Sequence, residues 1–561
     1  MSRTRILLLA ALASYFLMHS VPKTGEALKV FEWEYFSAAE SAVSTGLPVT
    51  YGLGKPAVEH PPFYVHLLAL VMEFSGPEVR AARLMGVFLL LSACLPLFLL
   101  ARALGAGAAA FTAAMALFLL TPAVIQGSTI IGAADTGLLP PLLLLFCWAV
   151  LYSREKPAPY GPAAGAGLFC LCLWAKFTTS LALPVFFLGW RAAERDARGF
   201  KTELGIFSAG AGLFVLTWAL YCFMVVGMQY FSGPLAYPLP QLAAGMHAGG
   251  AVEKLLRFSG DLMRVAAWVS PFLLFSAAAS FRARPEEKSG PAANWLLLLG
   301  AMIFFGYTAV RGSGGGFPKY QLPALAFFCL AAGMRFSREL AELRARELAG
   351  LFFISAAAFL YHRFAVGDAV LYTQEMARFA AVNGAGAVLG KAAFSGLLYF
   401  FPFAAAVAAA SWFAGWRPGR AFFLVSLCFA FGYNISQNAF QLAAGYSTTY
   451  AYGTSGAGEA AGFVRENTRP MDPVIGAFET LYAAGNKRAL LMPEKAWSSP
   501  AAFLAYQAQT GPAAVVCGLG TNTAEQQAEV FDSPEVRRAL SASYAEHVFG
   551  SYTVWLKKER K

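Results

Sequence analysis

Two glutamates two positions apart, Glu32 and Glu34, and a third, Glu40, follow the almost unbroken hydrocarbon run from Ile6 to Met18. A carboxylate there could take a proton from a hydroxyl, and general-base catalysis of that kind contributes about 10²–10⁴-fold. On a helix, positions 32 and 34 point about 200° apart, whereas 32, 35, 36 and 39 share a face. One glutamate would therefore face a site with Tyr35 behind it, while the other met solvent or a basic residue. The plainer alternative is a solvated face at the membrane border. In "VEHPPFYVHLLAL" (58–70), His60 precedes Pro61 and Pro62 at the start of an apolar helix. Proline is tolerated in a first turn, and the positive end of the helix dipole beside His60 suits an anion such as phosphate. The same His-Pro-Pro also serves simply as a rigid helix start. Asp135 is the one charge in "TPAVIQGSTIIGAADTGLLPP" (121–141), where it would equally act as an N-cap. Lys176 interrupts the apolar runs of "LCLWAKFTTSLALP", a costly place for a lysine unless it snorkels or pairs. In "RGSGGGFPKYQLPALAFF" (311–328), a glycine loop leads to Lys319 and Tyr320 at the entry of another apolar run.

These groups must be positioned by a membrane framework. The chain has 561 residues, of which 58% are hydrophobic and only 13% charged, about half the charge of an ordinary soluble domain. Lys and Arg outnumber Asp and Glu by 43 to 32, but much of the excess stands in short clusters between apolar runs, where basic residues fix topology. No nucleic-acid partner is expected. Seven of the eight cysteines lie in apolar runs and Cys517 stands alone in the polar C-terminal part, so neither a disulfide framework nor a zinc spacing is present.

With a span needing roughly 17–25 apolar residues, about thirteen windows qualify, from 5–22 to 420–441; 160–174 and 177–191 are the shortest. Arg3 and Arg5 precede the apolar stretch Ile6 to Met18 and no small-residue cleavage site follows Met18, which gives an uncleaved first span with a cytoplasmic N-terminus. Threading from there puts Arg102, Arg154 and Lys156, Arg191 to Lys201, Arg282 to Lys288, Arg335 to Arg346, and Arg417 with Arg420 on the cytoplasmic side, as the positive-inside rule expects. Residues 23–79 then form a long extracytoplasmic loop, within which "HPPFYVHLLALVMEF" reads as a helix lying at the interface. From Ser447 the composition turns soluble. "AGEAAGFVRENTRPMDPVIGAFETLY" reads as helix, turn and strand, and "GPAAVVCGLG" as another strand, so 1–446 are assigned to the membrane domain and 447–561 to a small extracytoplasmic α/β domain. The acids, the histidine and the lysines collect at the outer membrane surface, while the span centres are almost uncharged.

With "FEWEYFSAAESAVSTG", "EHPPFYVHLLALVMEFSGPEVRAARLMGVFLLLSACLPLFLLARALGA", "TPAVIQGSTIIGAADTGLLPPLLLL", "GLFCLCLWAKFTTSLALP" and "FPKYQLPALAFFCLAAG" in this order, the chain resembles the polyprenyl-phosphate-sugar-dependent glycosyltransferases of the GT-C fold. The branch it looks most like includes relatives of protein O-mannosyltransferases and of the lipid A aminoarabinose transferase. The resemblance covers roughly residues 5–335 well and the remainder in general layout. It implies an α-helical polytopic membrane protein of GT-C type. It also implies an acidic pair opening the first outer loop, usually Asp-Glu; here Phe31 stands at the Asp position and Glu32 at the Glu position. Asp135 matches the family's second acid, His60 with Pro61 and Pro62 its His/Lys-Pro-Pro element near the lipid phosphate, and Lys176 and Lys319 basic positions facing the donor.

The reaction so implied is transfer of a sugar from a polyprenyl phosphate to a hydroxyl acceptor, which could be a lipid, a lipopolysaccharide, a cell-wall glycan or a protein. The phosphate leaves without needing a proton, so the remaining task is to deprotonate the acceptor. Glu32 is the first choice for that base, and Glu34 takes the role if the motif has shifted by two. Lys176, Lys319, His60 and Arg83 would stabilise charge on the departing phosphate, in a single displacement with inversion. No cofactor is certain: a divalent cation could be gathered by Glu32 or Glu34 with Asp135, but no ligand motif accompanies them. The alternative is a multi-span transporter or flippase of lipid-linked sugars, for which ionisable groups inside the spans are expected.

Overall fold

The computed structural model describes residues 3–25, 28, 32–51, 54–58, 60–132, 136–155, 161–236, 258–259, 262–263, 265–280, 290–311, 318–341, 343–369, 396–443, 456–476, 478–486, 489–490, 499–518, 530–531, 533–550 and 552–558. They fall into two compact units, one of Met1–Lys23, Val58–Phe63 and Leu84–Gly445, the other of Thr24–Ala57, Tyr64–Arg83 and Tyr446–Lys561.

The first unit is helical because its sequence offers long apolar runs, and in hydrocarbon only internally satisfied backbone is tolerated. Among the described residues, six helices are long and apolar enough to cross a membrane: Arg3–Gly25, Val79–Ala103, Ala197–Val226, Ala345–Val366, Gly396–Phe413 and Pro418–Leu442. The chain is a multi-pass membrane protein. Shorter apolar helices include Leu139–Arg154, Gly161–Ala175, Pro271–Ser280 and Leu297–Gly306; several of the windows read from the sequence fall on these. The pair Ala108–Leu120 and Pro122–Ser128 bends by 65°, because Thr121 is extended and Pro122 lacks the N–H that would continue the helix.

Burial separates inner from outer helices. Within their most apolar windows, Pro418–Leu442 is 72% buried, whereas Gly396–Phe413 is 11% buried and turns Phe401, Trp412 and Phe413 outward. The helix Leu322–Ala341 is buried at nearly every position of its first three turns and packs on Ala108–Leu120. Close approach is made by a small residue: a Cβ on Gly333 would lie 2.6 Å from the Ala110 carbonyl oxygen and 2.7 Å from the Ala114 nitrogen. Gly86 plays the same part where its helix meets Ser128, whose carbonyl oxygen would be 2.5 Å from a Cβ.

The second unit contains a five-stranded sheet of order β2-β1-β3-β5-β4, with β1 Val474–Gly476, β2 Ala489–Leu490, β3 Ala514–Gly518, β4 Tyr544–Phe549 and β5 Tyr552–Lys557. β1 pairs in parallel with β2 and β3, and β5 pairs antiparallel with β3 and β4. The two-residue period of a strand sends alternate residues to opposite faces. Val474, Val516 and Val554 join Ala460, Val464 and Leu481 in one core, and Ile475, Val515 and Trp555 join Phe503, Val536 and Leu540 in the other. The helix–turn–strand reading of 457–476 and the strand at 514–518 are as expected from the sequence. The same unit holds the helix Glu32–Thr45, packed on the helix Phe478–Ala483.

Gly333→Leu forces side-chain atoms onto backbone, and overpacking of this kind costs about 1–3 kcal/mol. We expect a lower unfolding midpoint in detergent for Gly333→Leu and little change for Gly350→Leu, where a Cβ meets nothing within 4 Å.

Candidate functional site

Glu32 opens the helix Glu32–Thr45 and is buried at 1% exposure. Its Oε2 accepts a hydrogen bond from Arg83 Nη2 at 2.7 Å, and the Arg83 side chain is equally buried. An arginine–carboxylate contact of this length is charge-assisted, and both partners belong to the second unit. Glu34, on another face of the same turn, is only half-buried, as the 100° per residue of a helix dictates. The Ser37 hydroxyl donates to the Glu34 carbonyl at 3.3 Å, and Tyr35 meets Tyr64 edge-on, ring centroids 6.2 Å apart.

A second cluster lies in the first unit. The apolar run that carries Lys176 is broken at that residue: Gly161–Ala175 ends, Lys176 is extended at φ −159° and ψ 97°, and Phe177–Ser180 and Ala182–Ala193 follow. Backbone bonds bracket the break: the Lys176 N–H donates to the Cys172 carbonyl at 2.9 Å and the Ser180 N–H to the Lys176 carbonyl at 3.2 Å, and the Ser180 hydroxyl adds a second bond to each of these carbonyls, at 2.7 and 2.8 Å. Buried to 5% exposure, Lys176 places Nζ 3.2 Å from His60 Nε2. An ammonium has no lone pair, so the imidazole accepts on Nε2 and keeps its proton on Nδ1. Lys176 Nζ lies 5.4 Å, and Lys319 Nζ 5.0 Å, from the centroid of the Tyr320 ring, each within cation–π range. Lys319 and Tyr320 stand in a turn that Pro318 fixes by accepting the Gln321 N–H at 3.2 Å, just before the helix Leu322–Ala341.

Of the residues singled out in the sequence, the fold thus gathers His60, Lys176, Lys319 and Tyr320 in one cluster and pairs Glu32 with Arg83. Arg83, read from the sequence as a partner for phosphate, has its guanidinium on the Glu32 carboxylate. Asp135 lies outside the described residues. Among the described residues, no three His, Cys, Asp or Glu side chains gather as for a metal ion.

Sequence reasoning passed over Lys23, which is 1% exposed and donates to Gln126 Oε1 at 2.6 Å and Gln441 Oε1 at 3.0 Å. A visible signal was the helical spacing of Asn434, Gln437, Asn438 and Gln441 within an otherwise apolar run. It also passed over Tyr51 and Tyr482, whose contacts join segments far apart in the chain.

This architecture is the GT-C fold. Solved structures that share it include ArnT from Cupriavidus metallidurans bound to undecaprenyl phosphate, with a TM-score of 0.63 at 16% identity over 100% of this chain and 99% of that one. The apo state of the same protein gives 0.59 at 17% identity over 98% and 97%. The Archaeoglobus fulgidus oligosaccharyltransferase tethered with an acceptor peptide gives 0.55 at 12% identity over 99% of this chain and 74% of that one. No family model and no curated protein matches the sequence.

Breaking a buried ion pair on one side leaves an uncompensated charge, at about 3–5 kcal/mol. We expect Arg83→Met to lower the unfolding midpoint strongly, Glu34→Gln hardly at all, and the double variant Glu32→Gln/Arg83→Met to recover part of the loss.

Proposed function

We propose that the chain is an inverting glycosyltransferase that moves a sugar from a polyprenyl-phosphate donor to a hydroxyl acceptor at the extracytoplasmic face of the cell inner (plasma) membrane. In this reading the N-terminus is cytoplasmic and the C-terminal domain extracytoplasmic. The observation that carries the reading is that Lys176 and Lys319 both lie against the Tyr320 ring while Lys176 also meets His60. Fixed positive groups of this kind stabilise the charge that develops on a departing phosphate. The fold adds support, because it is shared with a protein solved bound to undecaprenyl phosphate.

Each group then has a task. Lys176 and Lys319 hold the phosphate oxygens as point charges, and the Nδ1–H of His60 is a further donor. The Tyr320 ring offers its π-system to both ammonium groups. Glu32 takes the acceptor hydroxyl's proton as the nucleophilic oxygen attacks the anomeric carbon, and the phosphate leaves from the opposite side with the bonding pair. Inversion follows from the single displacement. Arg83 fixes Oε2 of Glu32, so that the carboxylate is orientated before the acceptor arrives; Glu34 is the second candidate for the base. The lysines supply positive charge of the kind a metal would bring, and a divalent cation, where one takes part, would be held by Glu34 or Glu32 with Asp135.

The test is transfer of label from a radiolabelled polyprenyl-phosphate sugar in membranes. Glu32→Gln is expected to lower kcat by about 10²-fold or more, and Lys176→Met to lower kcat/KM for the donor. Full transfer by Glu32→Gln would move the base to Glu34, and label that crosses the bilayer with no bond formed would make the chain a flippase. EDTA is expected to leave transfer unchanged; loss restored by Mg²⁺ or Mn²⁺ would bring a cation into the reaction.

A further inference from the structure

The helix Glu32–Thr45 has 14 residues, a length that is marginal in isolation, so its position is set by what grips it. Glu32, Phe36 and Glu40 recur every four residues and form one stripe along it. Arg83 holds the first of them. The other two are held from the C-terminal part of the same unit: the Phe36 ring meets the Tyr482 ring at 6.1 Å, and the Tyr482 hydroxyl donates to Glu40 Oε2. Tyr51 completes the grip. Its ring lies 5.2 Å from that of Tyr482, its N–H donates to the Ser37 hydroxyl on the helix at 3.1 Å, and its own hydroxyl donates to the Asn486 carbonyl at 2.5 Å. Asn486 in turn donates to the carbonyl of Asp472, in the turn that leads into β1, at 3.0 Å. Burial, together with the bond to Glu40, pushes the Tyr482 phenol above its ordinary value, so it remains a donor through the physiological pH range.

We propose that Tyr482 and Tyr51 are positioning residues through which the C-terminal domain sets the place of the Glu32 carboxylate, making that domain part of the catalytic apparatus. The inference rests on the reading of Glu32 as the base. A misplacement of about 1 Å at a reacting group costs on the order of 10²-fold in rate, so a loosened stripe is felt two turns away.

The experiment uses the full chain in detergent with two readouts. Tyr482→Phe keeps the ring and loses the hydroxyl: kcat should fall roughly tenfold with donor KM unchanged, and amides of 32–45 should exchange faster while those of β1 and β3 keep their protection. Glu40→Ala should match it, Glu40→Gln, which retains an oxygen acceptor, should restore most of the rate, and the double variant Tyr482→Phe/Glu40→Ala should be no worse than either single one. Unchanged kcat in Tyr482→Phe overturns the inference, whether or not exchange quickens, and so does lost protection in β1 and β3, which would mean that the domain had unfolded. If Glu32→Gln is inactive while Tyr482→Phe is fully active, the inference fails and the reading of Glu32 stands; if Glu32→Gln is fully active, the reading itself has failed.

Discussion

Hydrocarbon surroundings leave no water to accept an unpaired carbonyl or N–H, so every interruption of a helix must be satisfied from within the protein. Three interruptions show how this is met. The Leu120 carbonyl, released where Pro122 bends the chain, accepts from Asn438 Nδ2 at 2.8 Å. The Gly367 carbonyl and Ala369 N–H, beyond the helix that ends at Val366, bond the Gln437 amide, both at 3.1 Å. At Lys176 the Cys172 and Lys176 carbonyls keep backbone partners, the N–H groups of Lys176 and Ser180, and the Ser180 hydroxyl adds a second bond to each. Two of the three solutions come from the polar stripe of one helix, Pro418–Ala443, which explains why so apolar a chain keeps Gln437 and Asn438 almost wholly buried there.

The break at Lys176 does more than interrupt an apolar run. A lysine in continuous helix would direct its ammonium outward or toward a neighbouring span; in an extended residue between two helices it reaches His60 and Tyr320 instead. The backbone irregularity and the cationic cluster are therefore one feature, and Ser180, whose hydroxyl bonds carbonyls on both sides of the break, sits on the same short turn. A different logic governs Glu32 and Arg83. Burying an ion pair contributes little net stability, since desolvation offsets most of the attraction. What it provides is geometry, because each partner is fixed by the other at 2.7 Å. An orientated carboxylate needs this more than it needs strength.

Much of this was legible in the sequence. Apolar windows found the long helices, the turn to soluble composition after Ser447 preceded the strands, and the period of a helix put Glu32 and Glu34 on different faces, of which the structure buries that of Glu32. The chemistry-bearing types at His60, Lys176, Lys319 and Tyr320 were visible too, because a charge beside hydrocarbon stands out. Arg83 shows the limit. Its sequence position beside an apolar run suits a phosphate ligand as well as it suits a structural cation, and only its contact with Glu32 separates the two roles.

The sequence by itself determined the membrane class and the presence of strands toward the C-terminus, and it offered a list of candidate groups, since these depend on composition and on local periods of two and 3.6. Tertiary structure decided which of those groups meet. Lys176 and His60 are 116 positions apart, and Glu40 and Tyr482 are 442 apart. No local rule links such residues, because their approach is the outcome of packing summed over every helix and strand between them.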